Sequence, residues 1–582
     1  MKKLITILLC FALIFAFTAC GKKQNGIINE AQEKSDVNID RLDLDFTDKD
    51  RDASFENGIA VNGQSTFTIK DGKTYVLSGE FKQIIVDSSA NDKPKIVLNG
   101  AVIASSEGPA IYVKNADKVF ITAVEGTKNT LSDTTNYPSD YDNSDAVIFS
   151  KDDLTINGKG ELFINANYKC GIASKDDLVI CDTVLTVNSK GAAIEGKDCV
   201  KITNAKITAN AETDGIKATN EETENLGYVY IQSGDFVLNT TKDGLQAASS
   251  LLIDNGSFNI TTGGGSENSS DKQDGNWGHW GGFYESSTTT ASAKALKATK
   301  LIKVTNGSLE INSSDDAIHS NSDIEINGGD FNISSGDDGV HADDSLIING
   351  GSFKISKSYE GIEATVITVN NGEIDLTASD DGFNAAGGND SSSIGGRPGQ
   401  NPFESDSAAS INITGGTILI DASGDGIDSN GSVSITGGTT YVNGPTNNGN
   451  GAFDYGSSAT ISGGSIILVG ASGMSQGFSE ESSQPSIYYN LSTAYQGGTK
   501  VAICDKNGKE LFGFTSAKQF NSVVISCEKL ELGNDYILKI GTNEYNISLT
   551  STVFSNGNSQ GGMGGGMGRP GGMGGGRPQK PW

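Results

Sequence analysis

Short runs in which hydrophobic and polar residues alternate fill most of the chain, and the runs end at Gly, Asn or Asp. The segments Ser345 to Ile348 and Ser352 to Ile355 are two examples from one stretch of sequence. Alternation over such short runs is typical of β-strands, and Gly, Asn and Asp favour the tight turns between them. The pattern therefore predicts an all-β protein with many turns.

A repeat of about 22 residues organises these strands. Glycines that precede an alternating run mark this period: Gly234, Gly256, Gly307, Gly329, Gly351, Gly372, Gly416, Gly438 and Gly464. A second motif recurs out of phase with the glycines: an acidic residue, Gly or Ala, an apolar residue, any residue, then Ala or Ser, as in Asp338 to Ala342. Three short strands and three turns fill one repeat, which predicts one coil of a right-handed parallel β-helix. A leucine-rich repeat has a similar length, but its Leu-rich strands and helical connections are absent.

Breaks in the repeat and shifts in composition predict the domain boundaries. The predicted parts are a signal peptide at 1–20, a flexible tether at 21–40, the β-helix at 41–495 with loop insertions at 263–293 and 387–408, a small β cap at 496–552 and a disordered Gly/Met-rich tail at 553–582. The cap is expected because the end of a β-helix otherwise exposes unpaired strand edges.

The first twenty residues are typical of a bacterial lipoprotein signal. Two lysines precede an apolar run from Leu4 to Phe17, and small residues then lead to Cys20. We expect cleavage before Cys20 and a lipid on its sulfur, although lipoproteins usually carry Leu where Phe17 stands. A plain secretory peptide or an N-terminal anchor helix is the alternative. In either case the chain is exported, and with a lipid it lies on the extracellular face of the cell membrane.

Charge and cysteine content exclude several classes of protein. The chain has 43 Lys and Arg against 72 Asp and Glu, a net charge of −29, which disfavours nucleic acid as a partner. Beyond the signal, five scattered cysteines form neither a disulfide framework nor a zinc motif. We expect Cys170, Cys181 and Cys199 to be buried thiols, and a pairing of Cys504 with Cys527 is left open.

The acidic residues of the second motif are candidates for a calcium site. Residues one coil apart stack about 4.8 Å apart, so these acids form a ladder whose charges repel. Ca²⁺ relieves the repulsion because it binds six to eight oxygen atoms and can bridge coils. The candidate ligands are Asp214, Asp243, Asp315, Asp316, Asp337, Asp338, Asp343, Asp344, Glu360, Asp380, Asp381, Asp425 and Asp428. The alternative is that the acids only form turns with their own backbone.

A second set of residues is a candidate carbohydrate-binding strip. The polar positions that follow the ladder are Lys217, Gln246, Lys297, His319, His341, Glu363 and Asn384. They can hydrogen-bond the hydroxyl and carboxylate groups of an extended polymer. Trp277 and Trp280 in the first insertion can stack on sugar rings. A solvated face, and a loop that folds its aromatic residues onto the shaft, are the alternatives.

Catalysis is the competing hypothesis. Asp315 and Asp316 with His319 resemble the paired acids of a polygalacturonase, as do Asp337 and Asp338 with His341. The acids recur in coil after coil, however, whereas an active site occurs once. A pectate lyase would need a basic proton acceptor, commonly arginine, and no arginine lies in a repeat. Lys217, Lys294 or Lys297 could take that role, so a lyase stays an alternative.

Several long motifs resemble the bacterial carbohydrate-binding domain-containing proteins. They include KTYVLSGEF (73–81), IVLNGAVI (96–103), GPAIYVKNADKVFIT (108–122), GTKNTLSD (126–133), SKDDLTING (150–158) and ISGGSIILVGASGMSQGF (461–478). The resemblance spans residues 40–550. It implies a right-handed parallel β-helix with bound calcium, and affinity for cellulose-like and acidic, pectin-like polysaccharides without established hydrolysis.

These observations predict a lipid-anchored cell-surface protein that binds polysaccharide on a calcium-stabilised β-helix. Its expected partners are a glycan and, through Cys20, the membrane. A pectin-degrading lyase or hydrolase on the same fold is one alternative. A surface adhesin or structural rod is the other.

Overall fold

The computed structural model describes residues 39–141, 143–269, 292–386 and 408–557. Forty-five strands form one continuous sheet whose neighbours are almost all parallel, and 4 strands form a second sheet. Each coil of the large sheet adds a strand to each of three faces, and every strand pairs with the strand one coil away. The predicted all-β parallel β-helix is confirmed.

Three faces run along the shaft, and two pairs of long strands turn the corner between faces. Face 1 contains Ile59–Asn62, the first halves of Thr74–Phe81 and Lys95–Ala104, Lys118–Ala123, Asp153–Asn157, Asp177–Cys181, Cys199–Thr203, Tyr228–Ile231, Ser250–Ile253, Leu301–Val304, Asp323–Ile326, the second halves of Val340–Ile348 and Ile362–Val369, Ser410–Ile413, Ser432–Ile435 and Ser458–Ile461. Face 2 contains the second halves of Thr74–Phe81 and Lys95–Ala104, then Lys128–Ser132, Glu161–Ala166, Val184–Ser189, Ala205–Ala211, Gly234–Thr240, Ser257–Thr262, Ser308–Ser313, Asp330–Ser335, Ser352–Lys357, Glu373–Ala378, Thr417–Ala422, Thr439–Asn443 and Ser465–Gly470.

Face 3 carries the candidate site. It contains Thr66–Ile69, Gln83–Asp87, Ile111–Asn115, Ala146–Ser150, Cys170–Ser174, Ile194–Gly196, Ile216–Ala218, Leu245–Ala247, Leu296–Ala298, Ile318–Ser320, the first halves of Val340–Ile348 and Ile362–Val369, Phe383–Ala385, Ile427–Ser429 and Asp454–Tyr455. From Ile194 to Ser429 most of its segments are only three residues long. In each of them the first and third side chains point inward, and the middle side chain points outward.

Stacked apolar side chains fill the interior of the shaft. The inward residues of face 3, all 0% exposed, illustrate this: Ile216, Leu245, Leu296, Ile318, Val340, Ile362, Phe383 and Ile427. Aromatic rings stack in the same way on face 2, where Phe331 and Phe353 lie 4.5 Å apart and nearly parallel. A continuous stack of this kind stabilises each coil through its neighbours, which is typical of repeat proteins.

The repeating glycines occupy one corner of the coil. Gly307, Gly329 and Gly351 have φ angles of 134°, 109° and 102°, which L side chains rarely adopt. Glycine populates this region without a steric penalty. The 22-residue spacing therefore marks the entry to face 2 in each coil.

An N-terminal strap, residues 39–54, crosses the outside of face 1. It contains the 3-10 helix Ile39–Arg41 and the helix Asp48–Arg51, which Thr47 caps. Leu42 packs on Tyr228, Tyr230 and Leu252. The strap runs toward the first coil and enters it before Ile59–Asn62.

The C-terminal region joins the outside of the last coils. Lys500–Asp505, Glu510–Thr515, Asp535–Ile540 and Asn543–Ser548 form the second sheet, which is antiparallel. Phe520–Ser526, Ser486–Tyr495 and Val553–Ser555 instead extend the large sheet beyond Ser465–Gly470. This half of the region continues the shaft because Ile467 and Val469 point outward and share an apolar cluster with Ile525.

The remaining structural elements are few. Ser139–Tyr141 and Ser266–Asn268 are 3-10 helices. The five described cysteines are buried free thiols, so the burial expected for Cys170, Cys181 and Cys199 is confirmed and Cys504 is not bonded to Cys527. In the part of the chain that the structure describes, no helix has the length and apolar character needed to cross a membrane.

Candidate metal and carbohydrate site

Two columns of polar side chains run along face 3. The ladder column consists of Asp214, Asp243, Lys294, Asp316, Asp338, Glu360, Asp381 and Asp425; in each coil, the backbone N–H after the ladder residue donates to the carbonyl of the ladder residue in the next coil. The outer column, three positions later in each coil, consists of Glu195, Lys217, Gln246, Lys297, His319, His341, Glu363, Asn384, Asp428 and Asp454, all paired in register.

Ladder carboxylates bond the backbone of the next coil. Oδ1 of Asp316 accepts a hydrogen bond from the N–H of Asp338 at 3.1 Å. Oδ1 of Asp338 accepts one from Glu360 at 3.1 Å, and Oδ1 of Asp381 accepts one from Asp425 at 2.5 Å. These bonds tie coils together, and they leave the second oxygen of each carboxylate for another partner.

Lysines neutralise the ladder in its N-terminal half. Lys217 lies 3.3 Å from Asp214, and Lys297 lies 3.5 Å from Asp243. Lys294 occupies the ladder position between Asp243 and Asp316, and its Nζ is 2.5 Å from Oδ2 of Asp316.

Asp315 joins the same ion pair, 3.1 Å from Nζ of Lys294. Burial alone would raise the pKa of Asp316, but Lys294 and His319 hold it well below its usual range. The sequence analysis named Lys294 only as a possible proton acceptor and did not place it in the ladder, although it stands three residues before Lys297 just as Asp316 stands before His319.

In the middle of the shaft, histidines replace lysines as the partners of the ladder carboxylates. Nδ1 of His319 is 2.8 Å from Asp316, and Nδ1 of His341 is 3.1 Å from Asp338. The two rings stack with centroids 4.8 Å apart. Both residues are 1% exposed, so neither offers a proton-transfer group at an open surface.

Carboxylates without a counter-ion fill the C-terminal part of face 3. Ligand oxygens of Asp381, Asp425 and Asp428 lie within 4.8 Å of one another, and among the described residues no Lys, Arg or His pairs with them. Asp454 follows Asp428 in the outer column, and its Oδ1 accepts a hydrogen bond from Gln476. We call these four residues the C-terminal acidic cluster.

The cluster holds its charges at a high energetic cost. Burial, together with the neighbouring carboxylates, raises the pKa of Asp381 and that of Asp425 well above the usual range. Burial and the charge of Asp454 raise the pKa of Asp428 to about 7. Carboxylates in such an environment favour either a proton or a cation.

Gly424 makes room for this cluster. A Cβ atom at Gly424 would lie 2.3 Å from Oδ1 of Asp380 and from Oδ1 of Asp381, closer than any real contact. Glycine thus allows the carboxylates of one coil to reach across the next. The sequence analysis did not single out this glycine, or Asp454.

The other predicted residues differ in burial and in the side chains that they contact. Lys217, Gln246 and Lys297 are half-buried, whereas Glu363 and Asn384 are buried. Asp343 contacts Nε2 of His341 at 3.2 Å. The remaining candidates are placed as follows: Asp344 accepts a hydrogen bond from Ser322, Asp337 lies beside Asp315 and Asp316, Glu360 accepts one from Asn384, and Trp277, Trp280 and Cys20 lie outside the described residues.

Comparison with known proteins identifies the family. A sequence profile described as carbohydrate-binding domain-containing protein matches residues 63–339. A protein of that description from Acetivibrio thermocellus is 32% identical over 254 residues, which are 43% of this chain and 87% of the relative. The chain belongs to the carbohydrate-binding domain-containing protein family.

A solved structure shares part of this family member's sequence. It is described as the polysaccharide lyase-like protein from C. thermocellum, gadolinium derivative, with 32% identity. The match covers 34% of this chain and 83% of the other, with a TM-score of 0.33. The family match ends at residue 339, so the C-terminal acidic cluster lies beyond it.

Proposed function

We propose that this family member binds acidic polysaccharide through calcium ions held by the C-terminal acidic cluster. The observation that carries the proposal is the set of half-buried, closely spaced carboxylates of Asp381, Asp425 and Asp428, with no cationic side chain paired to them in the described chain. Carboxylate oxygens are the ligands that Ca²⁺ prefers, and Ca²⁺ accepts irregular geometry.

The charge of the chain explains why a cation is needed for an acidic ligand. With a net charge of −29, the protein repels a uronic-acid polymer in the absence of a cation. A calcium ion that keeps an open coordination position can bind one carboxylate of the polymer. Binding is then non-catalytic, because the ion positions the chain and no proton donor is required.

The cellular location is part of the same proposal. An exported chain with a lipid on Cys20 would present the shaft at the cell surface, where polysaccharide is available. The sequence of the signal supports this location. For neutral, cellulose-like glycans, the support is family membership.

Binding assays with matched variants test the proposal. We expect polygalacturonate binding at least about tenfold weaker in a calcium-selective chelator, and a similar loss in Asp428→Asn. Asp375→Asn removes one exposed charge from face 2 and should leave binding unchanged. Cellulose is assayed in parallel.

Three outcomes would contradict the proposal. Binding that is insensitive to the chelator argues against a calcium bridge. Absence of binding to either glycan favours the adhesin or structural-rod hypothesis. Release of unsaturated products or new reducing ends would show an enzyme instead.

A further inference from the structure

His341 lies among three carboxylates in the middle of the shaft. Its Nδ1 is 3.1 Å from Oδ2 of Asp338 and 2.8 Å from Oε2 of Glu363. Its Nε2 is 3.2 Å from Oδ1 of Asp343. The imidazole therefore contacts carboxylate oxygens through both nitrogens.

One proton on Nδ1 does not satisfy both of its neighbours. The hydrogen-bond geometry is met for Asp338, while neither oxygen of Glu363 receives a hydrogen bond from the described residues. Glu363 is 1% exposed, so water does not compensate at its surface. A buried carboxylate of this kind requires an explanation such as a bound water or ion. The ligand atoms of Asp338, His341 and Glu363 all lie within 4.8 Å of one another, as the ligands of one ion would.

Asn384 contributes a further buried acceptor oxygen that lacks a hydrogen-bond donor among the described residues. Asn384 is paired in register with Glu363. Its amide nitrogen is committed to Glu360 at 2.7 Å. Three buried acceptor oxygens on neighbouring residues thus have no hydrogen to accept.

The balance of charges around His341 also favours a bound divalent ion. A protonated His341 would supply one positive charge against the carboxylates of Asp338, Asp343 and Glu363. Buried uncompensated charges are costly. A divalent ion bound to the lone pair of Nδ1 supplies two charges and replaces the missing hydrogen bonds.

The arrangement around His341 matches that of a metal-binding histidine. Zinc bound to nitrogen and carboxylate at about 2.0–2.2 Å places tetrahedral ligand atoms roughly 3.3 Å apart, close to the observed separations from Nδ1. Histidine ligands usually donate the other ring N–H to a carboxylate, which fixes the tautomer. Asp343 occupies that position, so it would orient the ring without touching the metal.

We propose that Asp338, His341 Nδ1 and Glu363 bind a divalent transition metal ion of the zinc type. The nitrogen ligand distinguishes this site from the oxygen-only cluster around Asp428, because imidazole favours zinc and its neighbours over calcium. The site is separate from the proposed carbohydrate site.

His319 provides a built-in comparison. It stacks on His341, but its Nδ1 contacts a single carboxylate, that of Asp316. Lys294 already neutralises Asp316. The ligand atoms of Asp316, His319 and His341 also lie within 4.8 Å of one another, but Lys294 already supplies a positive charge there. His319→Gln is therefore the matched control for His341→Gln.

Calorimetric titration of the metal-stripped full chain with zinc chloride tests the site. We expect one zinc ion per chain, bound at least 100-fold more weakly in His341→Gln and within about threefold of wild type in His319→Gln. Asp343→Asn should weaken binding by about 10–100-fold. Cobalt(II) should give the intense visible absorption of a tetrahedral site, and His341→Gln should remove it. Asp428→Asn should bind zinc as wild type does.

Other results would overturn the assignment. They are no stoichiometric zinc binding to the wild-type chain, equal loss in both histidine variants, or undiminished binding in His341→Gln. If His341→Gln does not fold, as judged by circular dichroism, Asp343→Asn decides: wild-type affinity in that folded variant contradicts the proposal. An imidazolium at His341 that persists by NMR when zinc is added would show that a proton, not a metal ion, occupies the site.

Discussion

The absence of a side chain at Gly424 leaves room for the carboxylate of Asp381, a member of the C-terminal acidic cluster, and for that of its neighbour Asp380. Oδ1 of Asp380 and Oδ1 of Asp381 fill the space that a Cβ atom would need. A larger residue at position 424 keeps both negative charges but displaces the two carboxylate oxygens. Geometry and charge can therefore be tested separately at this residue.

We expect Gly424→Ala to weaken calcium binding by about tenfold or more, because cation affinity depends on ligand positions as well as on ligand charge. Calorimetric titration with calcium measures the effect. Gly449→Ala is the control, because its Cβ would meet only the Asn447 side-chain oxygen at 3.2 Å, in an exposed turn. Equal affinity in the two variants would mean that Asp380 and Asp381 do not hold the ion.

For individual residues, the sequence predicted which acidic side chains line one face of the shaft, but not which cations neutralise their charges. The acidic motif placed Asp338 and Asp381 in one ladder, as the structure does. Lys294 was not placed in the ladder because a lysine does not match an acidic pattern. The burial of His319 and His341 could not be predicted, since it depends on side chains stacked from neighbouring coils. Calcium binding by the ladder stays a prediction.

The strap is the element that local sequence pattern did not reveal. Its contacts join residues far apart in the chain: Lys201 contacts Asp43 at 2.9 Å, and Tyr228 donates to the Asp43 carbonyl at 2.6 Å. Such pairings leave no periodic signal in residues 39–54. The parallel strands, in contrast, follow from a period that repeats along the chain.

Asp50 anchors the strap in a pH-dependent way. Burial alone would raise its pKa, but Lys118, Thr47 and Thr155 hold it at about 2. The stabilisation is present above the ordinary pKa of 3.8 and is lost as the pH falls toward 2. We expect a contribution of about 2 kcal/mol that Asp50→Asn removes, measured by denaturant unfolding at pH 6 and pH 2.5.

Asp48, exposed on the same helix, supplies the control. Asp48→Asn should keep the wild-type pH dependence. If Asp50→Asn loses as much stability between pH 6 and pH 2.5 as the wild-type chain, then the acid sensitivity resides elsewhere.

Along face 3, fewer cationic side chains neutralise the ladder carboxylates toward the C-terminal end of the shaft. Lysines pair with the ladder near Asp214 and Asp316 and histidines follow, whereas Asp381, Asp425 and Asp428 have no paired cation among the residues that the structure describes. Coils of a repeat protein depend on their immediate neighbours. Stability should therefore vary along the shaft with the supply of cations.

Hydrogen exchange with and without calcium measures this variation. We expect amides in residues 408–461 to exchange at least about tenfold faster in a calcium-selective chelator, and amides in residues 146–262 to be unaffected. A uniform response along the shaft would show that calcium acts on the whole molecule rather than on the acidic cluster.

The strap also imposes an order on folding. Its residues are the first of the described chain to be synthesised, yet Leu44 and Phe46 pack in a cluster with Leu252 and Leu301. The surface they need does not exist until those later coils have been made and stacked. Closing such distant contacts is slow compared with pairing one coil on the next. The strap therefore packs onto the shaft late in folding, after the coils that it covers have formed. Its detachment is the expected first step of unfolding from that end.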